Sequence, residues 1–405
     1  MKKSPLINKN SREFIVFTSC SMVLTALGID IMLPAFSEVR KHFGIVSETS
    51  QTANIITFFF MGQITQIFFG YLTDRLGRLP ILRMGILLYI LSGIAVVLSP
   101  SLTIIFFFRF TAGMGAAAVF MTSIACVRDR FSGDEMAKTM SFVMAIFLFT
   151  PVIAPALGAW ILHFSTWKVV FLVPPIFAIL VFLWSFRMPE SHPAERRSVA
   201  GFGETMQKIK SILKDLRFLI YVTIATIIFS ILSSWVSSSE RIIGEFYQSP
   251  GLFPLIFGGM GLLMAAFSYI NSYLSRKLGA KKSLKLFLIL YFIFSAIMVL
   301  GAISQDHHPS LLFFFIIIAF LMAFTTAADP NSSALALEHM GDKAGLAASV
   351  YGTIFFFVGS GMGAIISARL TDNITPLAIA ALIVSSVSLV LNYFVRKKST
   401  LNHKS

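Results

Sequence analysis

The stretch DRLGRLPILRMGILLYILSG, residues 74–93, decides the fold, because a cluster of charged residues is followed directly by a long apolar segment. A helix that spans a bilayer needs about 20 mostly apolar residues. The same alternation recurs along all 405 residues, of which 56% are hydrophobic and 13% charged, with a mean hydropathy of +0.81. Soluble domains carry about 25% charged residues. The composition therefore predicts an integral membrane protein that is surrounded by the lipid bilayer.

The formal net charge of +14 does not indicate nucleic acid, since the basic residues lie between apolar segments. Cys20 and Cys126 both lie in apolar segments, so neither a disulfide framework nor a thiolate metal site is expected. The histidines form no ligand-spaced group within a span. We expect neither a metal nor another cofactor.

Twelve apolar segments are long enough to span a bilayer. The predicted spans are at about 14–36, 51–72, 81–99, 102–127, 138–163, 167–187, 217–240, 252–275, 283–304, 310–337, 344–370 and 374–395. Most of the 33 lysine and arginine residues fall in segments on the same side of the membrane as the N-terminus. Because basic residues mark cytoplasmic loops, both termini are predicted to be cytoplasmic.

The longest polar stretch divides the predicted spans six plus six. We predict an N-terminal six-helix bundle at 1–187, a cytoplasmic linker at 188–216 and a C-terminal six-helix bundle at 217–405. YLTDRLGRLPIL (71–82) and YLSRKLGAKKSL (273–284) share Tyr, Leu, Leu, Gly and Leu in register. This match half a chain apart supports two halves related by duplication, as in transporters built of repeats.

The charged turn between spans 2 and 3 has a distinctive spacing. It resembles G-x-x-x-D-R-x-G-R, the loop signature of the major facilitator superfamily. The matching residues are Gly70, Asp74, Arg75, Gly77 and Arg78. The resemblance implies the all-α major facilitator fold and a cytoplasmic gate, in which acid and bases pair across helix ends as the two halves rock. Leu79 stands where the family usually has a second base, and Arg276 replaces the acid in the second copy, so we expect the latch to act mainly in the N-terminal half.

Further stretches are similar to one branch of this superfamily, the drug/proton antiporters of the Bcr/CflA type, which export bicyclomycin and chloramphenicol. They are GIDIMLPAF (28–36), RFTAGMGAAA (109–118), VRDRF (127–131) and TPVIAPALGAW (150–160). The resemblance implies that Asp129 belongs to the cytoplasmic gate. It also implies that Pro151, Pro155 and Gly158 carry the antiporter motif of span 5, where bending and close helix contact would seal the bundle against proton leak.

Two ionisable residues lie inside spans, where a charge is costly and usually functional. Asp30 lies roughly 9 Å and Arg109 roughly 10 Å from the outer ends of their spans, at about 1.5 Å per residue. Opposite charges at one depth can serve as partners. We predict that Asp30 carries the coupling proton, since a desolvated carboxyl group near an arginine can take up and release protons as its surroundings change. Arg109 would tune this exchange, because an arginine keeps its charge.

Glu240 and Asp329 are secondary candidates. Glu240 is predicted near the outer end of span 7, where a solvated helix end is expected. Asp329 is predicted well down span 10, where it could be a second acidic site or a cytoplasmic gate residue.

The sequence thus predicts a proton-coupled secondary active exporter of small, fairly apolar drug-like compounds that works by alternating access. We expect a monomeric, multi-pass protein of the bacterial inner membrane. A dedicated exporter of one metabolite, such as a siderophore, is the alternative within the same fold. An embedded enzyme would need paired carboxylates, a histidine cluster or a Ser/His set at one depth, and a channel would need a ring of repeated polar residues; neither pattern is visible. A phosphate-binding G-x-x-x-x-G-K-[ST] loop is missing, so ATP use is not expected.

Overall fold

The structure is a computed structural model that describes residues 12–45, 49–197, 201–370 and 373–401. Within these ranges the chain forms α-helices, short 3-10 turns and one π-helical turn, and no β-strand. Twelve helical segments of the described part are long and apolar enough to cross a membrane, which confirms the all-α fold with twelve spans. The cytoplasmic location of the termini stays a prediction, and the terminal residues 1–11 and 402–405 lie outside the described part.

Fifteen α-helices are described within these ranges. In chain order they are α1 (Arg12–Asp30), α2 (Phe36–Phe43), α3 (Ala53–Gly62), α4 (Gln66–Leu76), α5 (Arg78–Leu98), α6 (Leu102–Arg130), α7 (Gly133–Phe164), α8 (Trp167–Ser185), α9 (Phe202–Ile212), α10 (Leu216–Arg241), α11 (Phe253–Leu278), α12 (Ala280–Ser304), α13 (Leu311–Leu337), α14 (Ala344–Ala368) and α15 (Thr375–Leu401). Most spans begin and end within a few residues of the predicted bounds.

The chain divides into two compact units. The first comprises Met1–Ser47 and Phe58–Thr205, and the second comprises Glu48–Thr57 and Met206–Ser405. The described part of the predicted linker contains the helix α9. The bundle boundaries proposed from the sequence stay a prediction.

Local signals set several helix starts. The Asp215 side chain accepts a hydrogen bond from the backbone N–H of Phe218 at 2.8 Å, which caps the start of α10. The Ser101 hydroxyl does the same for Ile104 at the start of α6, over 3.5 Å. Asp and Ser are common at the N-cap position, because their side-chain oxygen accepts a hydrogen bond from a backbone N–H group that has no partner within the helix.

Large apolar side chains cover the outside of the spans. Leu98 and Tyr269 are each 76% exposed and Trp160 is 64% exposed. Extensive exposed apolar surface is costly in water and ordinary against lipid tails. The surface chemistry therefore agrees with the hydropathy of the sequence.

In the first unit α3 and α6 meet backbone to backbone. A Cβ atom added at Gly113 would lie 2.0 Å from the carbonyl oxygen of Phe59, and one added at Gly62 would lie 2.2 Å from the carbonyl oxygen of Phe110. Small residues let helix backbones approach this closely in membrane proteins. The contact holds α6 against α3 one turn from Arg109.

In the second unit α10 and α14 pack through small residues. The hydroxyl groups of Ser238 and Ser367 are 2.5 Å apart. A Cβ atom added at Gly363 would lie 2.8 Å from the carbonyl oxygen of Ser230. Hydroxyl groups and missing side chains thus let the two helices approach closely at these positions.

The substitution Gly113→Ala should lower the stability of the protein. The new methyl group meets a backbone carbonyl that cannot rotate away, and overpacking of this kind costs about 1–3 kcal/mol. Gly259→Ala is the matched control, because Gly259 lies in α11 with nothing within 4 Å of the added atom. Thermal unfolding of the purified protein in detergent would check this. Equal unfolding temperatures for both variants would contradict the close contact.

Candidate functional site

Asp30 is the last residue of α1 and is buried, with 5% of its surface exposed. The chain then turns into a short 3-10 helix, Leu33–Ala35, in which Pro34 has no N–H group to offer to the end of α1. Among the described residues, none forms a hydrogen bond or an ion pair with the Asp30 carboxyl group. The carboxyl group thus has no countercharge within the described part of the chain.

Arg109 is also buried, with 2% of its surface exposed, and it binds the backbone of α1. Its Nη2 donates a hydrogen bond to the carbonyl oxygen of Gly28 at 2.7 Å. Its guanidinium carbon lies 4.4 Å from the centroid of the Phe59 ring, in a cation–π contact. The last carbonyl groups of a helix lack intrahelical donors, and Arg109 supplies one here. Arg109 therefore binds α1 at Gly28, two residues before Asp30, and no ion pair joins the Arg109 and Asp30 side chains.

Tyr89 is a third member of this site that the sequence analysis missed. It is buried in α5, and its hydroxyl donates to the carbonyl oxygen of Leu24 at 2.9 Å. A Cβ atom at Gly28 would lie 2.2 Å from the Tyr89 hydroxyl oxygen, so glycine leaves room for the tyrosine. The sequence signal for this role is a tyrosine within an apolar segment, because a buried tyrosine hydroxyl needs a hydrogen-bond acceptor on a neighbouring helix.

The residues predicted to form the antiporter motif of span 5 lie in α7, and one of them contacts the residue after Asp30. Gly158 in α7 is buried, and a Cβ atom there would lie 2.1 Å from the carbonyl oxygen of Ile31. Pro151 and Pro155 lie inside the same helix, the first half-buried and the second buried. Helices α5, α6 and α7 therefore all contact the last turns of α1 or the residue that follows it.

The charged turn between α4 and α5 is built around Arg78. Gly77 both ends α4 and precedes α5, with a φ of 100° that favours glycine. The buried Arg78 side chain binds Asp74 through Nη1 at 2.5 Å. It also binds Asp129 at the end of α6 through Nε at 2.7 Å and through Nη2 at 3.3 Å. Two parallel bonds from one guanidinium are a strong and directional contact.

The other two residues of the loop signature lie apart from this ion pair. The Arg75 Nη1 donates to the Tyr71 hydroxyl at 2.8 Å on the exposed side of α4. Gly70 lies half-buried in α4. The structure thus brings together Asp74, Arg78 and Asp129 and leaves Arg75 outside the ion-pair network.

Glu190 joins this network from the segment that follows α8. Its carboxylate accepts hydrogen bonds from the backbone N–H groups of Arg78 at 3.0 Å and Leu79 at 3.1 Å. It also accepts one from the N–H group of His192 at 2.9 Å. A carboxylate at a helix N-terminus satisfies unpaired donors and complements the helix dipole. Sequence analysis missed this role, because the partners are more than 100 residues apart.

Neighbours of Glu190 extend the contact. The Ser191 hydroxyl donates to Asp129 Oδ2 at 3.3 Å. Arg130 Nη2 donates to the carbonyl oxygen of Pro189 at 2.6 Å. The first residues of the predicted linker are therefore bound to the start of α5 and the end of α6.

The secondary candidates lie in the second unit. Glu240 is half-buried in the last turn of α10. Asp329 is half-buried in α13, and its Oδ1 accepts a hydrogen bond from the Tyr351 hydroxyl of α14 at 2.7 Å.

The architecture and these contacts agree with the comparison to protein families. The model of the Major Facilitator Superfamily matches residues 18–364. The chain belongs to this superfamily. It is therefore a multi-pass membrane transporter of small molecules and not an enzyme.

Individual proteins similar to the chain include a bicyclomycin resistance protein homolog of Haemophilus influenzae. It is 28% identical over 397 residues, which cover 96% of this chain and 98% of that protein. The multidrug resistance protein MdtL of Shigella flexneri is 27% identical over 387 residues, covering 94% of this chain and 95% of that protein. These similarities confirm the family resemblance read from the sequence. The crystal structure of a D-xylose-proton symporter covers 93% of this chain and 96% of its own, with a TM-score of 0.72 at 14% identity, which shows the same fold.

The two acids that bind Arg78 should differ in their contribution to stability. The Asp129 side chain is 13% exposed and doubly bonded, whereas the Asp74 side chain is 50% exposed. Asp129→Asn should cost about 1.5–3 kcal/mol, the worth of hydrogen bonds to a charged group. Asp74→Asn should cost less than about 1 kcal/mol, as an exposed pair does. Thermal unfolding of both variants tests the order, and an equal or reversed order would contradict it.

Removal of the Glu190 carboxylate should loosen the start of α5. Glu190→Gln is expected to cost about 1 kcal/mol, the usual loss at a helix cap. Hydrogen exchange of the first-turn amides of α5 should become faster than in the wild type. Glu195→Gln is the control, because Glu195 is exposed and no described residue forms a hydrogen bond or an ion pair with it. Unchanged exchange at Arg78 and Leu79 would show that the carboxylate does not cap the helix.

Proposed function

We propose that the chain is a proton-coupled secondary active exporter, an antiporter, of small, fairly apolar drug-like compounds in the bacterial inner membrane. The relatives named for resistance to bicyclomycin and to multiple drugs support the export of drugs. Membership in the superfamily supports a mechanism of alternating access.

The buried carboxyl group of Asp30 carries this proposal. It lies where α1 ends, with no polar partner among the described residues. Helix α1 is contacted near this point by Tyr89, Arg109 and Gly158 from three other helices. A change in the charge of Asp30 would act on the turn of α1 that these helices hold.

The exchange follows from competition for this carboxyl group. A substrate that brings a positive charge or hydrogen-bond donors stabilises the carboxylate and releases its proton to water. A proton that arrives from outside neutralises the carboxylate and lowers its affinity for the substrate. Arg109 keeps its charge throughout, and its bond to Gly28 holds α1 in place while Asp30 titrates.

The contacts of the loop signature would serve as the gate. Arg78 is held by Asp74 and Asp129, and Glu190 binds the start of the same helix. Such contacts form in one state of the transport cycle and break in the other. The close contact of Gly158 with Ile31 would keep α7 sealed on α1, so that protons do not leak past Asp30.

Asp30→Asn should abolish the coupling of export to protons. We would energise inside-out vesicles until their lumen is acidic, add phenicols, bicyclomycin, organic cations or siderophores, and follow proton release with a pH-sensitive dye. The wild type should release protons with its substrates, and the variant should not. Asp306→Asn is the control, because it removes an acid from an exposed turn of the second unit and should behave as the wild type.

The panel also separates the proposed function from its alternative. Proton release that persists in Asp30→Asn would sink the assignment of Asp30. Release with a siderophore alone would favour a dedicated exporter of one metabolite.

A further inference from the structure

The turn that joins α11 to α12 concentrates positive charge in the second unit. Its exposed basic side chains all lie within six residues of Gly279 and are Arg276, Lys277, Lys281, Lys282 and Lys285. We call residues 276–285 the basic turn. No aspartate or glutamate occurs in residues 246–305. Within the described part of the chain, none of the five basic side chains forms an ion pair with a carboxylate.

The corresponding turn of the first predicted repeat carries its own acids. In the aligned repeats Arg276 takes the place of Asp74, and Asn331 takes the place of Asp129. Both of the replaced acids bind Arg78 in the first unit. Membrane topology favours cations in such turns, but it does not require that their acids be absent, as the first turn shows. The basic turn therefore carries a charge that the described residues do not neutralise.

The two repeats also differ at the helix start that follows the turn. In the first unit the Glu190 carboxylate binds the first two N–H groups of α5. The helix α12 begins after Gly279, and no side chain of the described residues caps its start. Residues 396–405, which follow the last span, contain no acidic residue that could take the role of Glu190. The position that an anionic group of the chain occupies beside α5 is thus open beside α12 to an anion from outside the chain.

Apolar and aromatic surface adjoins the basic turn on the side of the spans. The exposed side chains there are Tyr269, Tyr273 and Leu278 of α11 and Leu286 and Ile289 of α12. At about 1.5 Å per residue, the five cations lie within roughly 9 Å of Gly279 along the two helices. A turn between two spanning helices lies at the level of the lipid headgroups, where tyrosine is also common. A ligand at this place would therefore meet cations at one end and apolar surface at the other.

We propose that the basic turn binds the phosphate headgroup of an anionic phospholipid, with the acyl chains against the exposed apolar side chains of α11 and α12. The headgroup supplies the negative charge that Asp74, Asp129 and Glu190 supply in the first unit. A zwitterionic lipid is a poorer ligand, because its own cation neutralises the phosphate. The apolar surface beside the cations favours a lipid over a soluble anion. This binding does not depend on what the protein exports.

The test titrates the purified full-length protein in detergent with phosphatidylglycerol or with phosphatidylcholine of the same acyl chains, and counts bound lipid by native mass spectrometry. The wild type should bind phosphatidylglycerol at least about tenfold more tightly. The double variant Lys281→Gln/Lys282→Gln should weaken phosphatidylglycerol binding about 25-fold, at about fivefold for each cation removed, and leave phosphatidylcholine binding unchanged. The control is Lys41→Gln/Lys168→Gln, which removes the same charge from exposed positions of the first unit and should bind as the wild type does.

A second variant separates the charge of the lysines from their role in folding. Lys281→Arg/Lys282→Arg keeps both charges and should retain the wild-type preference for phosphatidylglycerol. Inorganic phosphate is the third ligand in the titration, and it should not displace phosphatidylglycerol when both are present at equal concentration. Added salt should weaken the binding of phosphatidylglycerol more than that of phosphatidylcholine, because the cations of the basic turn are exposed to solvent.

Four results would overturn the inference: equal affinity of the wild type for the two lipids, full phosphatidylglycerol binding by Lys281→Gln/Lys282→Gln, an equal loss in the control variant, or a loss in Lys281→Arg/Lys282→Arg as large as that in the glutamine variant. Displacement of the lipid by an equal concentration of inorganic phosphate would instead identify a site for soluble anions and reject the lipid. Failure of the proposed export function leaves these outcomes unchanged, since binding is measured without transport.

Discussion

The first unit depends on how the end of α1 is satisfied inside the bundle. A helix leaves its last carbonyl groups without donors, and lipid cannot supply any. Arg109 donates to the Gly28 carbonyl at 2.7 Å, so this buried cation binds backbone and not Asp30. Asp30 consequently keeps a carboxyl group without a countercharge among the described residues. Proton coupling would depend on this lack of a countercharge at Asp30, which thus follows from the way in which α1 ends.

Close backbone approach makes this arrangement possible. Arg109 reaches α1 because α6 lies directly on α3 at Gly113, where a methyl group would meet the Phe59 carbonyl at 2.0 Å. Tyr89 reaches α1 because Gly28 leaves space for its hydroxyl. In lipid, where burial of apolar surface does not drive helices together, such contacts and buried hydrogen bonds hold the bundle. Gly28 of α1 therefore serves both helix packing, by leaving room for Tyr89, and the polar site, by accepting the hydrogen bond of Arg109.

Hydropathy predicted nearly all of the fold, because each span needs only its own apolar run. The loop signature also identified Asp74 and Arg78, and the resemblance of VRDRF (127–131) identified Asp129; the structure brings these three residues together. Depth alone put Asp30 and Arg109 at one level but could not show that a carbonyl would take the arginine. The roles of Tyr89 and Glu190 depend on partners 65 and 112 residues away, which no local pattern reveals.

The two predicted repeats differ at corresponding positions, and this difference supports placing the proposed gate in the first. When Tyr273 is aligned with Tyr71, Ser275 and Asn331 correspond to Thr73 and Asp129. There Asn331 donates to Asn271 at 2.6 Å and accepts from Ser275 at 2.7 Å, so a neutral network joins α11 and α13. Neutral hydrogen bonds lose little when they stay buried, whereas an ion pair gains or loses strength as water enters and leaves. In the proposed mechanism, the charged network around Arg78 would gain or lose stability as water leaves or enters its surroundings. The amide network would hold α11 and α13 together in either state.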